Sequence, residues 1–423
     1  MHNPGMGEGY DAQAATPLSA FRTPDAVELR HLRAFATVAE ELNFGRAAAR
    51  LYLSQPALSR QIRALERLLG CALLRRSTHL VELTLAGEAL LDRARQVLRD
   101  VDEAVSATRS VGGELEGRIA RLWEPIIDLA SGDADLQDLR DATEAMHAQV
   151  PPPPEVQVRP VNAGGVQALL LTPAPDVPLG LLYLHGGGYV LGSAYGYRPL
   201  AGALAAAAQT GTLVADYRLA PEHPFPAALE DALRAYLWIL DRGTPPGQLA
   251  LAGDSSGGGL VMSLLLSLKQ QELPLPGRAV LLSPGVDLAR LALGPLGEDA
   301  APDVSMEQVR RFPAYYLGAH PVDDPLVSPL TADLTGLPPM LIQVGTGDPF
   351  SSDESHRLAD RARAHGVDVR LELYPTAAHV FHLFWSFLPE AADALQQAGE
   401  FVRETRADAA VGAVGPEPDA YSA

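Results

Sequence analysis

The chain of 423 residues carries 33 basic and 52 acidic side chains, a formal net charge of −19 at pH 7. This length predicts two or more folding units, and a hydrophobic content of 47% excludes a disordered chain. The single cysteine excludes a disulfide framework and a thiolate metal cluster, so we expect no metal site. Without an apolar run of membrane-spanning length or a signal peptide at the start, we expect a cytoplasmic protein with no membrane partner.

The charge is unevenly distributed along the chain. Taken whole, the acidity argues against a nucleic-acid partner. Residues 114–423, however, have a net charge of −20, whereas residues 26–90 contain nine arginines and six acidic side chains. The sequence therefore predicts a mildly basic module followed by a strongly acidic one.

The basic module has the pattern of a small DNA-binding fold. We expect a disordered N-terminus at 1–25, then three short helices between Leu29 and Leu69. Two short strands, around Ala72–Leu74 and Leu80–Leu83, predict a β-wing within a winged helix-turn-helix domain at 26–84. A long helix follows in a linker segment at 85–113.

The third helix is apolar on one face and cationic on the other, which is typical of a helix that enters the major groove of DNA. Alternatively, its arginines only solvate a surface helix. The candidate DNA contacts lie at the start of this helix, on its cationic face and in the wing: Ser54, Gln55, Ser59, Arg60, Arg63, Arg67, Arg75 and Arg76.

The residues themselves resemble the DNA-binding domain of LysR-type transcriptional regulators. The similarity spans Val27 to about Val111 and rests on LRHLRAFATVAEELNFGRAAARLYLSQPALSRQIRALERLLGCALLRR followed by VELTLAGEALL. It implies a homodimer formed through helix 85–110, and double-stranded DNA as the partner. It also implies DNA contacts from Ser54, Gln55, Pro56, Ser59, Arg60 and Arg63. Leu85 stands where the family usually has proline, and the wing tip Ser77–Leu80 has fewer arginines than usual.

The acidic module alternates short strands with helices, which predicts a mostly parallel sheet covered by helices at 118–407, with a loose tail at 408–423. Residues 118–148 are predicted to be helical. The strands are predicted at Gln167–Leu171, Leu181–Leu184, Thr212–Asp216, Leu249–Ala252, Ala279–Ser283, Met340–Val344 and Val369–Tyr374.

Two glycine-rich motifs in this module predict acyl-transfer chemistry. Gly253-Asp254-Ser255-Ser256-Gly257 is a G-x-S-x-G sequence between a strand and a helix, where the turn exposes a nucleophilic serine. His185-Gly186-Gly187-Gly188 follows another strand. We expect the backbone N–H groups of Gly186, Gly187 and Ser256 to form an oxyanion hole; a plain glycine turn is the alternative.

A serine nucleophile needs a base and an orienting carboxylate, which follow it in the chain order of this motif. His379, after the last strand, is the expected base, with His382 as the alternative. Asp348, after the strand that ends at Val344, is the expected carboxylate, with Asp353 as the alternative. Such a triad requires no cofactor.

These motifs resemble the hormone-sensitive lipase family of α/β-hydrolases over about residues 118–405. The matching stretches are HGGGYVLGS, DYRLAPEHPFPAALEDA, GDSSGG, GDPFSSDE and YPTAAHVF. The resemblance implies the Ser255–His379–Asp348 triad and a helical cap built from 118–148 and from the region of Met306–Leu317. This sequence departs from the family pattern at Ser256, Phe350 and Val380, where alanine, leucine and glycine are usual.

The combined prediction is a multidomain chain, with a winged helix-turn-helix followed by an α/β-hydrolase fold. Its expected function is that of a serine carboxylesterase acting on a small-molecule ester, attached to a DNA-binding arm and thus serving as an ester-responsive transcriptional regulator. The alternatives are a non-catalytic ligand-sensing regulator, a plain esterase with an idle helix-turn-helix, and a gene-prediction fusion of neighbouring reading frames.

Overall fold

The structure is a computed structural model that describes residues 27–51, 53–76, 81–111, 114–130, 134–293 and 309–413. These residues form two compact units that divide near residue 105. The segments predicted as a disordered N-terminus (1–25) and as the wing tip (77–80) lie outside the described residues. None of the described helices is long and apolar enough to cross a membrane.

The first unit consists of helices and one small hairpin. Its elements are α1 (Leu29–Glu41), α2 (Phe44–Arg50), α3 (Gln55–Leu69), β1 (Leu74–Arg76), β2 (Val81–Leu83) and α4 (Leu85–Val111). Ser54 caps α3 by accepting a hydrogen bond from the N–H of Ala57, and Gly70 ends the helix in a left-handed conformation with φ 70°. Leu58, Ile62 and Leu65 of α3 are fully buried, so one face of the helix forms the core of this unit.

The second unit is built around one sheet. Its elements are α5 (Glu114–Ala130), α6 (Leu136–His147), β3 (Gln157–Ala163), β4 (Val166–Thr172), β5 (Leu179–Leu184), α7 (Arg198–Ala208), β6 (Gly211–Ala215), α8 (Ala227–Asp241), β7 (Ala250–Asp254), α9 (Ser256–Gln270), β8 (Arg278–Leu282), α10 (Leu288–Leu293), α11 (Phe312–Leu317), β9 (Met340–Gly345), α12 (Ser352–Ala364), β10 (Val369–Tyr374) and α13 (Pro389–Ala413).

The sheet has eight strands in the order β10-β9-β8-β7-β5-β6-β4-β3. The six strands from β10 to β6 run parallel, whereas β4 and β3 join them antiparallel. The central strands are buried along their whole length because helices cover them, α7 packing with α13 and α8 with α9. The mostly parallel sheet predicted from the sequence is confirmed.

Two details differ from the sequence prediction. Strand β3 was not expected, because it lies at the edge of the sheet, is largely exposed and contains Pro160. The tail predicted to be loose from 408 is instead helical as far as Ala413, as a continuation of α13.

Candidate active site

Ser255 lies on the sharp turn between β7 and α9, at the carboxyl edge of the sheet. Its backbone has φ 48° and ψ −124°, a conformation that is costly for a residue other than glycine. A Cβ atom at Gly257 would collide with the carbonyl oxygen of Leu184, so the close approach of α9 to β5 requires glycine there. The turn therefore holds the Ser255 hydroxyl above the end of the sheet.

A continuous chain of hydrogen bonds leads from Ser255 to a buried carboxylate. Nε2 of His379 lies 2.9 Å from Oγ of Ser255, and Nδ1 lies 2.9 Å from Oδ2 of Asp348. Oδ1 of Asp348 accepts hydrogen bonds from the backbone N–H groups of Phe350 and Ser351. The carboxylate is thus fixed in place and orients the imidazole toward the serine.

The surroundings of His379 change its basicity. Burial lowers its pKa, but the negative charge of Asp348 and the hydrogen bond to it raise the pKa by more, so the net value lies above that of an ordinary histidine. A higher pKa makes the ring a stronger acceptor for the serine proton.

The alternative triad residues have other partners. His382 is fully buried with Nε2 lying 3.2 Å from Oε1 of Gln343, and burial lowers its pKa to about 3. The carboxylate of Asp353 accepts a hydrogen bond from Arg290 at 2.9 Å. The geometry therefore favours His379 and Asp348.

The glycine loop after β5 requires a correction to the expected oxyanion hole. The N–H of Gly186 donates to Oδ1 of Asp254 at 3.0 Å, and Gly186 is not part of the cavity wall in front of Ser255. Gly187, Gly188 and Ser256 do line that cavity. Gly186 is thus excluded as a donor because its N–H is already engaged, and Gly188 takes its place in the expected set.

Asp254 is a buried residue beside the candidate site that the sequence analysis did not single out. It is fully buried, and its Oδ1 also accepts a hydrogen bond from the hydroxyl of Tyr183 at 2.7 Å. Burial raises its pKa to about 6, although these hydrogen bonds oppose the shift. An acidic residue at the end of an otherwise apolar strand, directly before Ser255, was the available signal.

A cavity of about 780 Å³ lies in front of Ser255 and His379. Its wall is mainly apolar, and α5 and α6 supply part of it, which agrees with the cap predicted over 118–148. The apolar lining residues include Trp123, Ile126, Ile127, Leu288, Leu291, Phe312 and Leu383. Residues 294–308, where the second part of the cap was expected to begin, lie outside the described residues. The site is thus suited to an apolar acyl or alkyl group.

The candidate DNA contacts lie on the first unit. Gln55, Pro56, Arg60, Arg63 and Arg75 are exposed, and Ser59 is half-buried. The hydroxyl of Ser54 is instead engaged as the cap of α3, and the side chain of Arg76 lies outside the described part of the chain. The exposed residues of α3 face away from the buried stripe and form a cationic helix face.

Comparison with known proteins agrees with both units. The family described as alpha/beta hydrolase fold matches residues 181–383. An acetyl-hydrolase of Streptomyces hygroscopicus is 41% identical over 245 residues, which covers 57% of this chain and 81% of that protein. The chain belongs to the α/β-hydrolase family. Within it, this hydrolase is also 35% identical over 267 residues to an esterase of Acinetobacter venetianus, covering 62% of this chain and 87% of that protein.

Among solved structures, an esterase of the bacterial hormone-sensitive lipase family superimposes on this α/β-hydrolase with a TM-score of 0.63 and 39% identity, covering 68% of this chain and 97% of that one. Residues 29–88 match the lysR family of bacterial regulatory helix-turn-helix proteins. The predicted combination of a LysR-type domain with a hormone-sensitive-lipase-like hydrolase is confirmed, and the chain is a carboxylic ester hydrolase.

Proposed function

We propose that this ester hydrolase uses Ser255 as nucleophile, His379 as general base and Asp348 as the group that orients His379. The observation that carries the proposal is the hydrogen-bonded chain from the buried Asp348 carboxylate through His379 to a serine on a strained turn. The cavity in front of Ser255 provides space for the substrate.

In this mechanism His379 takes the Ser255 proton while Oγ attacks the ester carbonyl. The negative charge on the carbonyl oxygen is stabilised by the backbone N–H groups of Gly187, Gly188 and Ser256, each worth about 3–4 kcal/mol of barrier. His379 then protonates the leaving alcohol. Water, activated by the same ring, attacks the acyl-enzyme and releases the acid, so the cycle needs no cofactor.

The substrate that fits is a small carboxylic ester with an apolar acyl or alkyl group. Most side chains that line the cavity are apolar, and its volume of about 780 Å³ lies in the usual range for small-molecule sites. Aryl esters of short and medium fatty acids are therefore suitable probes.

Replacement of Ser255 by alanine tests the proposed chemistry. The Ser255→Ala variant should lose hydrolysis of p-nitrophenyl butyrate while its melting temperature stays near that of the wild type. Undiminished hydrolysis would remove Ser255 as the nucleophile. Ser352→Ala is the matched control, because Ser352 is a half-buried serine at the start of α12 that does not line the cavity in front of Ser255.

A second function is favoured by the first unit, which we infer binds double-stranded DNA through α3. Its support is the exposure of Gln55, Arg60 and Arg63 on the face opposite a fully buried stripe. We also infer a homodimer through α4, where Leu85 is 85% and Val97 40% exposed, so apolar surface is left for a partner helix. DNA as the partner favours a cytoplasmic location.

Together these parts make an ester-responsive transcriptional regulator with its own hydrolytic activity. A gel shift of the purified protein with DNA from upstream of its own gene, with and without an ester, tests binding and response at once. We expect the protein to shift the DNA, and this binding should weaken as the salt concentration rises. In the Ser255→Ala variant, which cannot hydrolyse the ester, added ester should change the amount of DNA bound. No shift with any upstream fragment would contradict DNA binding. A shift that no ester changes would contradict the regulatory coupling.

A further inference from the structure

We propose that Arg140, on the cap helix α6, is a positioning residue that fixes the oxyanion hole. The proposal rests on the serine chemistry proposed above, and it assigns to the cap a part in catalysis besides enclosing the substrate.

The guanidinium of Arg140 connects α6 to two loops. Its Nε donates to the carbonyl oxygen of Val190 at 2.9 Å, and its Nη2 donates to that of Ala220 at 3.0 Å. Both terminal nitrogens also donate to the carboxylate of Glu222, at 2.7 and 2.8 Å. The Arg140 side chain is 19% exposed and that of Glu222 is 53% exposed, so the two bonds to carbonyl oxygens are part-buried whereas the pair with Glu222 is open to water.

Through Val190 the contact reaches an oxyanion donor. The N–H of Val190 donates to the carbonyl oxygen of Gly187 at 3.1 Å, and the N–H of Leu191 donates to the same oxygen at 2.8 Å. That oxygen belongs to the peptide group whose N–H is that of Gly188. Because the peptide group is planar, fixing the Gly187 oxygen also fixes the direction of the Gly188 N–H.

Through Ala220 the contact reaches the other side of the hole. The N–H of Ala220 donates to the carbonyl oxygen of Tyr189 at 2.9 Å, and the N–H of Tyr189 donates to Oγ of Ser256 at 3.3 Å. Ser256 itself supplies the third donor. Arg140 thus contacts two backbone segments, one that is hydrogen-bonded to the carbonyl oxygen of Gly187 and one that leads through Tyr189 to Ser256.

Only an arginine can make this set of contacts. Its planar fork binds the Glu222 carboxylate through two nitrogens while Nε remains free for Val190, whereas the single ammonium of lysine cannot span all three acceptors. Hydrogen bonds from Arg140 lower the pKa of Glu222 to about 2, so the ion pair stays charged throughout the pH range of an esterase assay.

The test compares Arg140→Ala and Arg140→Lys with the wild type. A displaced oxyanion donor costs about 100-fold in rate. We therefore expect kcat for p-nitrophenyl butyrate to fall about 10- to 100-fold in both variants, with KM changed less than twofold. Affinity for a trifluoromethyl ketone, whose adduct with the serine carries an oxyanion, should fall by a similar factor. Millimolar guanidinium should restore part of the kcat of Arg140→Ala.

Lys269→Ala is the matched control, because Lys269 also bridges a backbone carbonyl and a carboxylate, both of Asp333, and does not line the substrate cavity. Its kcat should not change. If Arg140→Ala does not fold, the proposal is tested by Arg140→Lys alone, because lysine keeps the positive charge and most of the packing. An unchanged kcat in folded Arg140→Lys, or a rise in KM without a fall in kcat, would overturn the proposal. Should Ser255→Ala remain active, the proposed function itself would fail, which is a separate outcome.

Discussion

Oγ of Ser255 lies 2.9 Å from Nε2 of His379, although 124 residues separate the two in the chain. The parallel sheet brings them together, because β7 and β10 end at the same edge of the sheet. Strand β9 lies between these two strands, and Asp348 follows its end at the same edge. The triad therefore depends on the register of three strands, and each member can be tested separately.

Asp348→Asn should shift the acid limb of the pH profile. A protonated His379 cannot accept the serine proton, so kcat/KM falls as the pH drops through the pKa of His379. The charge of Asp348 raises that pKa. Its removal should move the acid limb of the remaining activity to lower pH, and kcat should fall by about 10⁴-fold. Asp353→Asn is the control and should keep the profile of the wild type. An acid limb unmoved in Asp348→Asn would refute the assigned role.

Asp254→Asn should change stability in a pH-dependent way. Burial raises the pKa of Asp254 to about 6 from a usual value of 3.8, so the folded state binds its proton more tightly than the unfolded state. The contribution of Asp254 to the free energy of unfolding of the wild type is therefore lost as the pH rises from about 4 to 6. The variant, which keeps an acceptor for Tyr183 and Gly186, should gain up to about 3 kcal/mol relative to the wild type over this range.

Urea unfolding of both proteins at pH 4.5 and 7.5 measures this difference. Asp360→Asn, at a largely exposed position on α12, is the control and should show little change at either pH. A stability difference between Asp254→Asn and the wild type that is equal at the two pH values would argue against a raised pKa at Asp254.

Trp123→Ala should change the preference for acyl length. Trp123 of α5 lines the substrate cavity and packs edge-on against Phe384 with ring centroids 6.5 Å apart. Removing the indole enlarges the cavity, and each additional buried methylene contributes about 0.8 kcal/mol. The ratio of kcat/KM for octanoate to that for butyrate esters should rise. Trp238→Ala, in a separate cavity, is the control and should leave this ratio unchanged. If Trp123→Ala has the same ratio as the wild type, the acyl chain does not lie against Trp123.

Arg60→Ala and Arg63→Ala should weaken DNA binding through α3. If each arginine contacts one phosphate, its loss should reduce the slope of log K against log salt concentration by about 1. Arg30→Ala is a suitable control, because Arg30 is also exposed but lies on α1 and pairs with Glu28. Filter binding at several salt concentrations gives the slopes. Identical slopes for all three variants would mean that α3 does not lie on the DNA.

The sequence was informative where local pattern determines the structure. The turn around Ser255 follows from glycines at fixed spacing. Asp348 and His379 each follow a short strand, one apolar and one with alternating apolar and charged residues, whose end is clear in the sequence. The sequence was insufficient where contacts between residues that are distant in the chain determine the local structure. Strand β3 is polar because it lies at the sheet edge, and the choice between Gly186 and Gly188 depends on a hydrogen bond from Gly186 to Asp254 across the sheet. The Arg140 contacts join residues 50 to 82 positions apart, which no local pattern reveals.

Covalent labelling of the nucleophile tests the central claim most directly. The wild-type protein treated with diethyl p-nitrophenyl phosphate should gain the mass of one diethylphosphoryl group, with peptide mapping that assigns it to Ser255 and loss of activity in proportion to labelling. Ser255→Ala should gain none under the same conditions, and His379→Ala should react far more slowly. A label on another residue that abolishes activity, or equal labelling of Ser255→Ala, would contradict the account.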